Sequence, residues 1–287
     1  MREYHQLLSR LQRKSLQLTN KKRGMQIGKR KSATIGSSTE FSDYKKYQPG
    51  DDIRQIDWNV MGRTNKAYIK RFMDEKEVLT SIYLDATSSM KSIAGKWELA
   101  KQLAASLSFL TLVHEDRLFF SAMTSPKSTF YRKGAVHSKR TFYEIMDFQE
   151  ESESTSFIEP LGKAITKKQN LTILITDGLE PIHHFVEFFQ RVHTGHYSIW
   201  LIQLLSEEEL NPAFHGDMEL LDSENQSTVD VSMNQNILEM YKKRVIEHNK
   251  ELALLCAKYG VHYMLATDAK DIQTILLRDF ANQGYIR

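Results

Sequence analysis

Two apolar runs in this chain each end abruptly in an acid. Val78 to Leu84 runs into Asp85-Ala86-Thr87-Ser88-Ser89, and Leu171 to Ile175 runs into Thr176-Asp177-Gly178. Largely apolar runs of this length predict strands buried on both faces of a parallel sheet, and the carboxyl ends of such strands open into the crevice where open α/β sheets bind ligands. Between them, Trp97, Leu99, Ala100, Leu103, Ala104, Leu107, Leu110 and Leu112 keep a helical period, Arg117 to Met123 reads as a further strand, and Thr129 to Arg132 as its hairpin partner.

The same pattern continues to the end of the chain. Helices are predicted near Ser138 to Asp147, Ile158 to Lys167 and Ile182 to Arg191, a central strand at Tyr197 to Leu205, and a late hairpin at Met218 to Ser223 and Thr228 to Ser232. A long helix over Asn234 to Tyr259 stops at Gly260, and Val261 to Ala266 and Asp268 to Asn282 supply a last strand and a closing helix. Alternating strands and helices define an α/β fold with a doubly wound, mainly parallel sheet.

The first part of the chain is different. Tyr4, Leu7, Leu8, Leu11 and Leu18 mark a short amphipathic helix, followed by a basic, glycine-punctuated connector with Lys21-Lys22-Arg23 and Lys29-Arg30-Lys31. Glu40 to Phe72 is turn-rich around Tyr47-Gln48-Pro49-Gly50-Asp51-Asp52 and becomes β-like from Ala67. The expected organisation is an N-terminal helix, connector and turn-rich extension over residues 1–75, and an α/β domain over 76–287.

Composition narrows the function classes. Of 287 residues, 41% are hydrophobic and 26% charged, enough for a sizeable core, and the formal charge of +3 is too small to argue nucleic acid by itself. The single cysteine, Cys256, sits on an apolar helical face and reads as a buried inert thiol. No apolar run approaches the roughly 18 residues of a membrane span, and the opening residues lack a signal-peptide core, so a cytoplasmic protein is expected. Gly24 to Arg30 lacks the spacing, the Lys-Ser/Thr pair and the preceding strand of a phosphate-binding loop. His183, His184, His193 and His196 lack the spacing of a zinc site, and Glu207 to Glu209 reads as a solvated helix start.

Asp85, Thr87 and Ser89 alternate along the loop that leaves their strand, so one carboxylate and two hydroxyls can present neighbouring oxygens, a donor set suited to Mg²⁺ or Mn²⁺. This Asp-x-Thr-x-Ser motif, with Thr176-Asp177-Gly178 at a later strand end, resembles the metal-ion-dependent adhesion site of von Willebrand factor A domains; the usual first motif is Asp-x-Ser-x-Ser, and Thr87 preserves the hydroxyl. Thr155, ahead of Phe157-Ile158-Glu159-Pro160-Leu161, fits the third element of that site. The segment Glu40-Phe41 through Tyr47-Gln48-Pro49-Gly50-Asp51-Asp52-Ile53-Arg54-Gln55-Ile56-Asp57-Trp58 resembles the signature of the bacterial family called domain of unknown function 58.

The resemblance covers the chain from about Gly28 onward and matches the subgroup without transmembrane helices. It implies an A-type domain whose metal ligands are Asp85, Thr87, Ser89, Thr155 and Asp177, and a MoxR-type AAA+ ATPase as recurring partner in a chaperone-like or maturation system, with a client protein besides. The expected function is a non-enzymatic, metal-dependent protein-binding module. Alternatives are a Mg²⁺-dependent phosphatase or nuclease built on Asp85, and nucleic-acid binding through the basic Arg10 to Lys31. Glu40, Gly50, Asp51, Asp52, Arg54, Asp57 and Trp58 are expected to be structural or docking residues, with Arg54 paired to a neighbouring Asp and Trp58 packed on the core.

Overall fold

The computed structural model describes residues 4–17, 41–72, 78–123, 128–149, 156–165, 169–193, 198–212, 216–221, 228–233 and 235–287. In chain order the elements are α1 (His5–Leu11), β1 (Phe41–Lys46), α2 (Trp58–Thr64), β2 (Tyr68–Phe72), β3 (Leu79–Leu84), α3 (Ser88–Lys91), α4 (Ala94–Val113), β4 (Arg117–Ser121), β5 (Thr129–Lys133), α5 (Ser138–Met146) and α6 (Ile158–Ala164). They continue with β6 (Leu171–Thr176), α7 (Ile182–Val192), β7 (Ser198–Leu205), α8 (Glu207–Leu210), β8 (Gly216–Leu221), β9 (Thr228–Met233), α9 (Gln235–Tyr259), β10 (His262–Thr267) and a closing helical stretch over 272–282.

Two compact units result: Gln26–Glu77 forms one, and Met1–Met25 together with Val78–Arg287 forms the other. The helix α1 therefore belongs to the larger unit, whereas the sequence reading grouped it with the extension over 1–75. Its apolar stripe accounts for this, since Leu7, Leu8 and Leu11 are buried in the larger unit's core. The helix is shorter than its spacing predicts because Ser15 and Gln17 leave it to pair with the C-terminus: Ser15 and Arg287 exchange backbone hydrogen bonds at 2.9 and 3.0 Å.

The larger unit is built on a six-stranded sheet of order β10-β7-β6-β3-β4-β5. Every neighbouring pair is parallel except β4 and β5, which form the predicted hairpin. Alternate residues of the central strands feed two cores. Ile82, Ile173, Trp200 and Ile202 face one layer with α4, α5, α1 and the closing stretch, while Tyr83, Leu174, Ile199 and Leu201 face α6, α7 and Cys256 and Leu252 of α9. Burial pushes the Cys256 thiol up to about 12, in keeping with an inert core cysteine.

The winding places the site. From β3 the chain moves outward to β4 and β5, then returns to add β6 on the other side of β3. The order reverses between β3 and β6, and a crevice opens beyond the carboxyl ends of strands at such a switch point. Asp85 and Asp177 are the residues that follow these two strands.

The smaller unit holds an antiparallel pair, β1 with β2, and the short helix α2. The strand β1, Phe-Ser-Asp-Tyr-Lys-Lys, lies within the stretch that reads as turn-rich, because it lacks an alternating apolar face. The hairpin of β8 with β9 forms where the late alternation predicts it.

Candidate metal centre

Asp85 is held at the end of β3 by a backbone bond from its N–H to Ile175 O at 2.8 Å, and it is only 2% exposed. Its Oδ1 accepts from Thr87 N at 3.0 Å and from Thr87 Oγ1 at 2.7 Å, and Thr87 Oγ1 lies 3.1 Å from Ser89 Oγ. Its Oδ2 accepts from Thr176 Oγ1 at 2.6 Å, which ties β3 to β6 across the switch point. A short α3 follows, and the long α4 starts at Ala94.

The loop after β6 is held by hydrogen bonds to both side-chain and backbone oxygens. Asp177 Oδ1 accepts from Leu179 N at 3.2 Å, Gly178 N donates to Thr176 Oγ1 at 3.1 Å, and Gln203 Nε2 donates to Asp177 O at 2.8 Å. From α9, His248 Nε2 bonds Gly178 O at 2.7 Å, which requires the tautomer with the proton on Nε2. Gly178 has φ of +66°, and a Cβ there would stand 3.0 Å from Leu252 Cδ2, so both the backbone turn and the closeness of α9 call for glycine.

A lysine completes the cluster. Lys96, from the first turn of α4, has a fully buried side chain whose Nζ lies 3.5 Å from Asp177 Oδ2 and 2.7 Å from Glu209 Oε1. Glu209 also closes the capping box of α8, its Oε2 accepting from Ser206 N at 2.7 Å. The acidic run at Glu207 is thus a helix start, as its sequence suggests, and one member of it, the partly buried Glu209, pairs with the buried Lys96.

Burial, and then the charge of Asp177, raise the Asp85 carboxyl from 3.8 to about 7 against the opposing hydrogen bonds of Thr176 and Thr87. Asp177 and Glu209 face the Lys96 ammonium and Asp85 lies in the field of Asp177, so with all three carboxylates ionised these four side chains are two positive charges short of neutral. Asp85 Oδ1, Thr87 Oγ1 and Ser89 Oγ form a hydrogen-bonded chain with steps of 2.7 and 3.1 Å, and one carboxylate with two hydroxyls is a hard oxygen donor set of the kind that Mg²⁺ takes. Among the described residues no three His, Cys, Asp or Glu side chains converge as metal ligands, so a cation here would rest on the hydroxyls as well.

Thr155 lies outside the described residues, but the residues that follow it are tied to this loop. Glu180 accepts from Ser156 Oγ at 2.7 Å, Phe157 N at 2.7 Å and Ile158 N at 2.9 Å, capping the start of α6. His184 Nδ1 lies 3.1 Å from the same carboxylate, which gives this histidine a structural role. Thr176, Lys96, Glu180 and Glu209 are the members of the cluster that sequence reasoning did not single out as site residues.

The signature residues sit in the smaller unit, except Glu40, which is outside the described residues. Asp57 caps α2 by accepting from Asn59 N and Val60 N, and its Oδ2 takes Tyr44 Oη at 2.9 Å and Lys70 Nζ at 3.1 Å. These bonds hold its carboxyl at about 2 despite its burial. Asp51 pairs with Lys45 at 2.7 Å, and Asp52 accepts the Arg54 backbone N–H at 3.0 Å. Gly50 has φ of +105°, as the turn requires. Two expectations are corrected here. The aspartates pair with Lys45 and Lys70 from the hairpin instead of Arg54, because the hairpin brings those ammonium groups to them, and Trp58, the first residue of α2, is 60% exposed.

Residues 43–251 match the family described as protein of unknown function DUF58, and the chain belongs to that family. It is 23% identical over 255 residues to the uncharacterized protein Rv1480 of Mycobacterium tuberculosis, covering 84% of this chain and 78% of that protein, and the same figures hold for the uncharacterized protein Mb1516 of Mycobacterium bovis. Among solved structures it is similar to the conserved hypothetical protein BatB from Bacteroides thetaiotaomicron, with a TM-score of 0.37 and 13% identity over 71% of this chain and 98% of that one. An aerotolerance-related membrane protein from Bacteroides fragilis matches at a TM-score of 0.37 and 12% identity, covering 71% and 97%. Among the described residues of this chain, no helix is long and apolar enough to cross a membrane.

Proposed function

We infer that the larger unit is a von Willebrand factor A-type domain acting as a non-enzymatic, metal-dependent protein-binding module, with a MoxR-type AAA+ ATPase as its partner and a client protein besides. The observation that carries this reading is the linked set of oxygens Asp85 Oδ1, Thr87 Oγ1 and Ser89 Oγ at the sheet's switch point, beside a second acid at the neighbouring strand end. Asp85, Thr87 and Ser89 would hold Mg²⁺ or Mn²⁺, with Thr155 and Asp177 as the remaining assigned residues. When bound, such a cation supplies positive charge and an exchangeable coordination position that a partner's carboxylate can fill.

The chain's own residues prepare that position. Thr176 fixes the Asp85 carboxylate from β6, Gln203 and His248 fix the loop of Asp177, and Glu180 fixes the segment that follows Thr155. Rigid placement of this kind lowers the ordering cost when a partner docks.

A second reading, phosphoryl transfer with Asp85 as nucleophile, draws support from Lys96, since such sites want a lysine near the strand ends. Against it, the Lys96 side chain is fully buried and its ammonium is engaged by Glu209 at 2.7 Å. Metal-dependent turnover of a phosphate ester, lost in Asp85→Asn, would establish the enzyme. For the binding module, the test is association with the candidate ATPase in Mg²⁺ and in chelator, with wild type and Asp85→Ala. Loss of affinity on both chelation and substitution is expected, and affinity unchanged by either would refute the metal-dependent part.

A further inference from the structure

We propose that Lys96 is a resident counter-charge that sets which metal the site accepts: with Lys96 in place the cluster lacks two positive charges, and a divalent cation restores neutrality. The inference rests on the metal-binding reading and assigns that site its charge selectivity.

An ammonium group has three donors and no acceptor, so Lys96 adds charge without adding a metal ligand. It reaches Asp177 Oδ2 from α4, and its shorter contact is with Glu209 of α8. Glu209 in turn is bound to Ser206 N, which follows β7. The charge of the site is therefore distributed over three strand ends, β3, β6 and β7, whereas the hydroxyl ligands come from one.

Stability alone does not account for the arrangement. A buried ion pair is often no more stabilising than apolar packing of equal volume, and Trp97, Leu99 and Ala100 of α4 are all buried. An apolar side chain at position 96 would satisfy the packing. It would also leave Asp85, Asp177 and Glu209 with three uncompensated charges. Such a site would hold a divalent cation more tightly, and it would favour a trivalent one. With Lys96 present, the demand matches Mg²⁺ or Mn²⁺.

The test is titration calorimetry of the full chain with Mg²⁺ alone and with Tb³⁺ alone, on wild type, Lys96→Met, Glu209→Gln and the double variant, each checked for folding by circular dichroism in chelator. Lys96→Met should bind Mg²⁺ about tenfold or more tightly and shift preference toward Tb³⁺, Glu209→Gln should bind Mg²⁺ about tenfold or more weakly, and the double variant, again two charges short, should return close to wild type. Should Lys96→Met fail to fold, Glu209→Gln and the double variant carry the same comparison. Equal affinities across the folded variants would overturn the proposal and leave the metal reading standing, provided that Asp85→Ala still abolishes binding. Absence of metal binding by wild type would overturn both.

Discussion

Thr176 Oγ1 donates to Asp85 Oδ2 at 2.6 Å, so the first residue beyond β3 is clamped by the last residue of β6. This bond makes one site out of two strand ends and holds the carboxylate with Oδ1 toward Thr87 and Ser89. Thr176→Val keeps the shape but leaves Asp85 Oδ2 without that donor. The metal-free variant should lose about 1–3 kcal/mol in urea unfolding at pH 8, where Asp85 is charged, and less at pH 5.

Asp85 also makes metal-free stability depend on pH. Its folded carboxyl titrates near 7 against an ordinary 3.8, so the native state keeps a proton that the unfolded chain has released. Its contribution is therefore fully present below about pH 4 and is lost as pH rises through 7. Unfolding in chelator should show stability falling from pH 5 to pH 8, by more in wild type than in Asp85→Asn. Because a metal displaces the same proton, apparent Mg²⁺ affinity should rise over that window.

The helix α1 is predicted to be a structural part of the larger unit. Leu11 is 0% exposed and lies in the core that includes α4 and α5. Leu11→Ala should cost about 2–5 kcal/mol, measured by thermal or denaturant unfolding. An effect near zero would mean that the helix is an ornament on the sheet.

Trp58 gives the opposite expectation. With 60% of its surface exposed, Trp58→Ala should change stability by no more than about 0.5 kcal/mol. A melting temperature within a few degrees of wild type is the expected result, and a large drop would restore the packed indole that the sequence suggested.

The parts of the fold carried by hydrophobic pattern were legible in advance. Asp85 and Asp177 stand out because largely apolar strands precede them, and the α/β alternation follows from the same runs. Lys96 did not stand out, since a lysine between Gly95 and Trp97 at a helix start looks like any solvated residue until tertiary packing buries it. Glu209 was hidden in an acidic run, and only the meeting of α4 with α8 distinguishes it from Glu207 and Glu208. Glu180 acts through the start of α6, a contact between segments 22 to 24 residues apart that no local spacing encodes. The strand β1 pairs on one side with β2 and carries charged residues, so the alternation that reveals core strands is missing from it. Trp58 was misjudged because burial is the usual state of an indole, whereas here it opens a short surface helix.

The central claim is that Asp85, Thr87 and Ser89 hold a divalent cation, and titration calorimetry with Mg²⁺ and Mn²⁺ on wild type and Asp85→Ala tests it most directly. Saturable binding of one ion per chain, abolished by the substitution in a protein that remains folded, is the predicted result. A wild-type protein that takes up neither ion, or an Asp85→Ala variant that binds as wild type does, would contradict it.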